Sequence, residues 1–183
     1  MSVPAQPTVA LLYQLAELHD GYFTAAEASE AGVTTTALVR NVERGTLERK
    51  SRGVYRLTHF PEVSPNAHLW PSVLWPQSRN AVAVALSHET ALRLHELSDV
   101  NPSYVDITIP KSFRIRRDHP RHLRIHRGDL ESHDLEYIDG FVVTTVDRTL
   151  RDIAASGNSV VFHAALRDAR ARNLNIPREF RDV

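Results

Sequence analysis

Apolar residues at Val9, Leu12, Leu15, Ala16 and Leu18 recur at helical spacing and predict a first helix over residues 8–20, stopped at Gly21. Thr24 stands three residues before Glu27, the spacing of a capping box. It predicts a second helix from residue 25, closed by Gly32. Val33 leads into a third helix, capped by Thr34, Thr35 or Thr36 and running to Arg44, with Gly45 as its stop. Ala37, Leu38 and Val42 form its inward stripe. The periodicity then changes from helical to alternating. TLERK places Leu47 inward, Ser51, Arg52 and Gly53 make a turn, and VYRL returns with Val54 and Leu57 apolar. Two helices joined by a Gly-containing turn and followed by a short hairpin predict a winged helix-turn-helix.

Residues 58–65 carry two prolines and little periodicity, so they read as a linker between a head, 1–60, and a body, 61–183. NAHLWPSVLW predicts a short helix ending near Pro76, with Trp70 and Trp75 packing between head and body. AVAVAL, residues 81–86, reads as a strand or the start of a buried helix. Ser87 is then expected to cap HETALRLHEL, with Ala91, Leu92 and Leu94 inward. YVDITIP alternates, with Tyr104, Asp106 and Thr108 on one side and Val105, Ile107 and Ile109 on the other. HLRIHR alternates as well, with Leu123 and Ile125 inward and His122, Arg124 and His126 outward. Asp139-Gly140 opens a β-rich run, FVVTTV. Asp147 is expected to cap RTLRDIAAS, and a last helix over 159–173 ends before Pro177. The predicted fold class is α+β: a winged helix-turn-helix followed by a small mixed α/β domain.

Composition adds exclusions. The chain has 183 residues, 42% of them hydrophobic and 24% charged, and no cysteine. Disulfides, thiolate chemistry and cysteine-based zinc sites are therefore ruled out. No apolar run approaches the roughly 20 residues needed to span a bilayer. The first residues lack the basic head and cleavage site of a secretory signal, so a cytoplasmic protein without membrane partners is expected.

Formal net charge is zero, with 22 basic and 22 acidic residues, but the sign is segregated along the chain. Residues 1–32 carry Glu17, Asp20, Glu27 and Glu30 and no Lys or Arg. Residues 33–60 carry Arg40, Arg44, Arg49, Lys50, Arg52 and Arg56 against Glu43 and Glu48. A second basic strip holds Lys111, Arg114, Arg116, Arg117, Arg121, Arg124 and Arg127 against Asp118, and the following stretch to Asp152 is acidic. Local sign decides where a polyanion docks. Each block taken alone also reads as a solvated face.

The third helix and hairpin carry residue types suited to double-stranded DNA. Thr34, Thr35 and Thr36 can touch phosphate or a thymine methyl, Arg40 can pair with guanine, and Asn41 with adenine. Arg44, Arg49, Lys50, Ser51 and Arg52 crowd the helix end and the wing tip, where they can hold phosphates or enter a minor groove. Lys111, Arg114, Arg116, Arg117, Arg121, Arg124 and Arg127 form a possible second basic surface. The competing reading is a protein-interaction module of the same shape.

Catalytic patterns are weak. His119, His122 and His126 lie close together, but the surrounding arginines repel a metal ion, so no metal site is expected. His88-Glu89 lacks the second histidine of a zinc protease, since position 92 is leucine. No phosphate-binding or nucleophile-elbow motif occurs. A nuclease would want clustered carboxylates with a lysine at a strand end. Asp106 and Lys111 come nearest and lack the rest of the pattern. Asp147, Arg148, Arg151 and Asp152 read as a helix cap with i,i+4 ion pairs. No enzyme activity and no cofactor are expected.

Three phrases in order resemble the AbiEi-like antitoxins of type IV toxin–antitoxin systems, which double as transcriptional regulators. They are GYFTAAEASEAGVTTTALVRNVERGTLERKSRGVYRL, LSHETALRLHELSDVNPSYVDITIPK and DGFVVTTVDRTLRDIA, and the likeness covers about residues 10–155. It implies a bacterial protein whose head binds its own promoter and represses its operon, and whose body carries antitoxin activity. The implied partner is a separate nucleotidyltransferase-like toxin. This chain lacks the Gly-Ser and paired-Asp signature of such a transferase, which makes it the antitoxin of the pair.

Overall fold

Thr24 closes one strand and starts one helix, and the N-terminal unit is assembled around that junction. The computed structural model describes residues 8–61, 64–77, 82–116 and 118–182. The chain divides into two compact units, 1–82 and 83–183.

In the first unit, α1 (Thr8–Glu17) is followed by β1 (Tyr22–Thr24), α2 (Ala25–Glu30), α3 (Thr35–Glu43), β2 (Leu47–Ser51) and β3 (Val54–Leu57). Both halves of the capping box are made. Glu27 N donates to Thr24 Oγ1 at 3.1 Å, and Thr24 N donates to Glu27 Oε2 at 2.6 Å. Thr34 is the cap of α3, its Oγ1 accepting from Ala37 N at 3.2 Å. The three strands pair in the order β1-β3-β2, all antiparallel. β1 was not expected. Three residues give no readable alternation, yet Phe23 faces Tyr55 across the ladder with the rings 6.0 Å apart. Leu12, Ala16, Phe23, Ala28, Val33, Leu38, Leu47, Tyr55 and Leu57 form the core. Leu18, expected inward, lies beyond the helix end and is 68% exposed.

This unit extends past the predicted linker. A 3-10 turn (Ala67–Leu69) leads into α4 (Trp70–Gln77), which packs on β1, β2 and β3. The boundary thus falls after residue 82 rather than after 60. The physical reason is the pair of tryptophans. Both are buried, and Trp70 Nε1 donates to Asp20 Oδ2 at 3.1 Å, within the same unit. Trp70 also lies 4.5 Å from the His19 ring, which ties it to the head.

The second unit contains β4 (Ala85–Leu86), α5 (His88–Leu94), β5 (Val105–Ile109), β6 (Leu123–Arg127), β7 (Leu135–Ile138), β8 (Phe141–Thr144), α6 (Val146–Ser156) and α7 (Ser159–Ala171). Its five strands run in the order β6-β5-β4-β8-β7. β5 with β6 and β4 with β8 are parallel, and the other pairs are antiparallel, so the sheet is mixed as expected. α5, α6 and α7 share a core of Leu92, Leu97, Leu150, Ile153, Phe162, Ala165, Leu166 and Ala169. β7 is the second strand missed in the sequence. Asp139 and Gly140 both have positive φ, 50° and 84°, and close a two-residue hairpin between β7 and β8.

One further expectation is corrected. Thr145 caps α6, accepting from Arg148 N, so Asp147 lies inside the first turn and not at the cap. Asp106 and Thr108, on one side of β5 as the alternation predicts, are both buried, because β5 sits inside the sheet and both its faces are covered.

Candidate nucleic-acid interface

The capped start of α3 fixes which of its side chains turn outward. Leu38 is buried and Ala37 and Val42 are partly buried against the core, as the apolar stripe requires. Thr34, Thr35, Thr36, Arg40 and Arg44 are exposed. The geometry therefore gathers three short hydroxyl side chains at the N-terminal turn and two arginines further along the same helix.

Asn41 does not join them. It is only 8% exposed, and its Nδ2 donates to the Ala37 carbonyl at 2.8 Å. Its own carbonyl accepts from Thr46 N at 3.0 Å, holding the turn into β2. Asn41 lies three positions after Leu38, on the buried stripe, so a base contact by this side chain is corrected to a structural role. Val39 takes the outward place instead, at 48% exposure. Sequence reading passed over it because a lone valine carries no polar signal. Its methyl groups suit contact with a thymine methyl.

In the wing, Arg49 and Arg52 are exposed. Lys50 is exposed too, but Nζ lies 2.7 Å from Glu48 Oε1 two residues back on the same strand face. Part of its charge is therefore already answered. Ser51 is half-buried, and its Oγ is buried without a hydrogen-bond partner among the described residues. It points inward at the bulge between Arg49 and Ser51 and is removed from the contact set. Arg56 is half-buried on β3, its guanidinium 5.4 Å from the Tyr22 ring centre.

Residues 11–58 match the family model described as "Transcriptional regulator, AbiEi antitoxin". The match is confined to the head. The matched span begins inside α1 and ends just after β3, so it holds the helix-turn-helix and the wing. No curated protein matches the chain. Among solved structures, the RV2827C protein from Mycobacterium tuberculosis is similar in fold, with a TM-score of 0.53 and 18% identity. The alignment covers 87% of this chain and 66% of that one, so this chain spans slightly under two thirds of its length.

The second basic strip belongs to the other unit and is less open than its sequence suggests. Lys111 lies 3.9 Å from Asp129. The Arg124 guanidinium stands 4.4 Å from the Tyr104 ring centre and 3.6 Å from Asp106. Arg127 donates to the Phe113 carbonyl. Arg114, Arg116 and Arg121 are exposed, and Arg117 lies outside the described residues.

Beneath that strip is a polar cluster that sequence reading left scattered. His126 Nε2 lies 2.7 Å from Asp106 Oδ1, and the His88 and His126 rings stack at 3.5 Å. Burial, and then the neighbouring His126, push His88 down to about 4, so it is neutral at pH 7. Thr108 Oγ1 donates to Ser87 Oγ at 2.8 Å, which explains why Ser87 makes no side-chain cap to α5. Arg148 is held by Asp152 at 2.9 Å and Asp134 at 3.2 Å. Among the described residues no group of three or more histidines and carboxylates is arranged to hold a metal ion, and no helix is long and apolar enough to cross a membrane.

Proposed function

We propose that the chain is a DNA-binding transcriptional repressor of the antitoxin type, acting on the upstream DNA of its own operon. In this reading α3 enters the major groove. Thr35, Thr36, Val39 and Arg40 meet base edges and methyl groups, while Arg44, Arg49 and Arg52 hold phosphates on either side. The wing lies along the backbone or the adjoining minor groove. What supports the reading is one observation above all: the solvent face of α3 and the tip of the wing carry arginines with no anionic partner among the described residues, on a segment that matches a family model of AbiEi-type transcriptional regulators. The neutral total charge is no obstacle, because the docking surface is locally basic.

The same reading assigns the body antitoxin activity within a type IV pair, with a nucleotidyltransferase-like toxin encoded nearby. It gives the chain no catalytic role and no cofactor. A promoter–reporter fusion tests the regulatory part. Wild-type protein lowers expression from the upstream region, and the Arg40→Ala/Arg52→Ala double variant, folded and equally abundant, does not. Equal repression by both proteins overturns the assignment of these residues.

A further inference from the structure

β7 is the outer strand of the body's five-stranded sheet, and its free edge has an unusual combination of features. Thr145 N donates to the Asp134 carbonyl, and Ile138 and Phe141 flank the two-residue turn. These two facts fix the alternation of the hairpin ladder. Asp134, Glu136 and Ile138 point their backbone groups at β8, while Leu135 and Tyr137 point theirs at the open edge. Leu135 and Tyr137 also line a pocket of about 360 Å³, with Ala83, Ala85, Leu130 and Val142 among its other walls. Tyr137 is nevertheless 80% exposed. Unpaired backbone groups and an apolar recess thus lie side by side on one short strand.

The rim is acidic. Asp129, Glu131, Asp134, Glu136 and Asp139 fall within eleven residues of chain. Asp129 and Asp134 face Lys111 and Arg148. Among the described residues Glu131 and Glu136 pair with no lysine or arginine: Glu131 accepts the Asp134 N–H and lies 3.4 Å from His133, and Glu136 lies 3.8 Å from His95. Natural edges are usually blunted by lysine, proline or a bulge; this one carries a recess beside two glutamates that pair with no lysine or arginine among the described residues.

We propose that this edge is a docking site for an extended, basic segment of a partner protein, which adds to β7 as a further strand. Backbone hydrogen bonds to Leu135 and Tyr137 give affinity, an apolar side chain of the segment enters the recess, and flanking lysines or arginines meet Glu131 and Glu136. The occupant is identified by charge complementarity: apolar side chains in alternation with cations. The site lies in the body and is independent of the proposed DNA surface.

The test uses the intact chain and a short capped peptide alternating lysine and valine, with a glutamate–valine peptide as control. Fluorescence anisotropy is expected to show saturable binding of the first peptide only. Glu131→Lys/Glu136→Lys is expected to weaken it by about tenfold. Tyr137→Pro removes an outward N–H without touching the hairpin's own ladder and abolishes binding. Because that variant can disturb the strand, hydrogen exchange on wild-type protein gives the second readout. Bound peptide protects the amides of Leu135 and Tyr137, while those of Glu136 and Ile138, already bonded to β8, change little. No saturable binding, protection elsewhere, or indifference to the charge reversal overturns the proposal. Protection of Leu135 and Tyr137 that rises with protein concentration alone also overturns it, and assigns the edge to a second copy. DNA binding is unaffected by any of these variants, so failure here leaves the repressor reading standing.

Discussion

Asn41 Nδ2 donates to the carbonyl of Ala37 at 2.8 Å, one turn back along α3, so the one asparagine of that helix braces it from its buried side. Asn41→Ala removes this bond and leaves a small buried gap. The expected loss is about 0.5–1.5 kcal/mol of stability, read in a denaturant melt. DNA affinity of the folded fraction stays near wild type. A drop in affinity matching that of Arg40→Ala would return Asn41 to the reading face.

Gly21 supplies a second structural test. Its φ is +95°, and a Cβ there would lie 2.8 Å from Phe60 Cβ. Gly21→Ala is expected to cost about 1–3 kcal/mol, since backbone strain and a clash act together. Gly45 has φ +74° but nothing within 4 Å, so Gly45→Ala loses less. Thermal unfolding of the two variants side by side decides this, and equal losses would contradict the role given to Phe60.

The stop signals and caps of the head were legible because they are local: Thr24, Glu27, Gly32, Thr34 and Gly45 act on neighbours within a turn. Fold class and the mixed character of the body sheet followed from periodicity. What escaped was set by distant contacts. β1 and β7 are too short to show alternation and are strands because of Tyr55 and the β8 ladder. Trp70, expected between head and body, donates to Asp20 of the head, because sequence shows its hydrophobicity but not a partner fifty residues earlier. On α3 the exposed arginines could be read from residue type. The rotation that buries Asn41 and exposes Val39 depends on where Leu38 meets the core.

The stacked histidines predict a pH response. His88 is pushed down to about 4 in the folded protein, against an ordinary value of 6.5. Between those values the unfolded chain binds a proton that the folded one refuses, so stability falls as pH drops from about 6.5 toward 4. His19, lowered chiefly by its own burial, acts in the same direction. His88→Asn keeps a residue tolerant of the φ of 50° found there and removes the titration. Urea unfolding at neutral and mildly acidic pH is expected to show a flatter pH dependence in this variant. An unchanged slope would mean that other groups carry it.

The wing's cations are expected to be unequal. Arg49 and Arg52 have no anionic partner among the described residues, while Lys50 is paired with Glu48. Removing Arg49 or Arg52 should lower the slope of log affinity against log salt by about 1 each. Lys50→Ala should change it less, because Glu48 is freed at the same time. A larger effect from Lys50 than from Arg52 would show that the pair opens on DNA.

The central claim is that α3 and the wing are the DNA-binding surface. Equilibrium binding of the intact chain to its own upstream DNA, titrated with salt, tests it most directly when Arg40→Ala/Arg52→Ala is compared with Arg116→Ala/Arg121→Ala. The account predicts that the first pair loses most of the specific affinity and flattens the salt slope, while the second pair binds nearly as wild type. Strong binding by the first pair and loss by the second would contradict it and move the interface to the body.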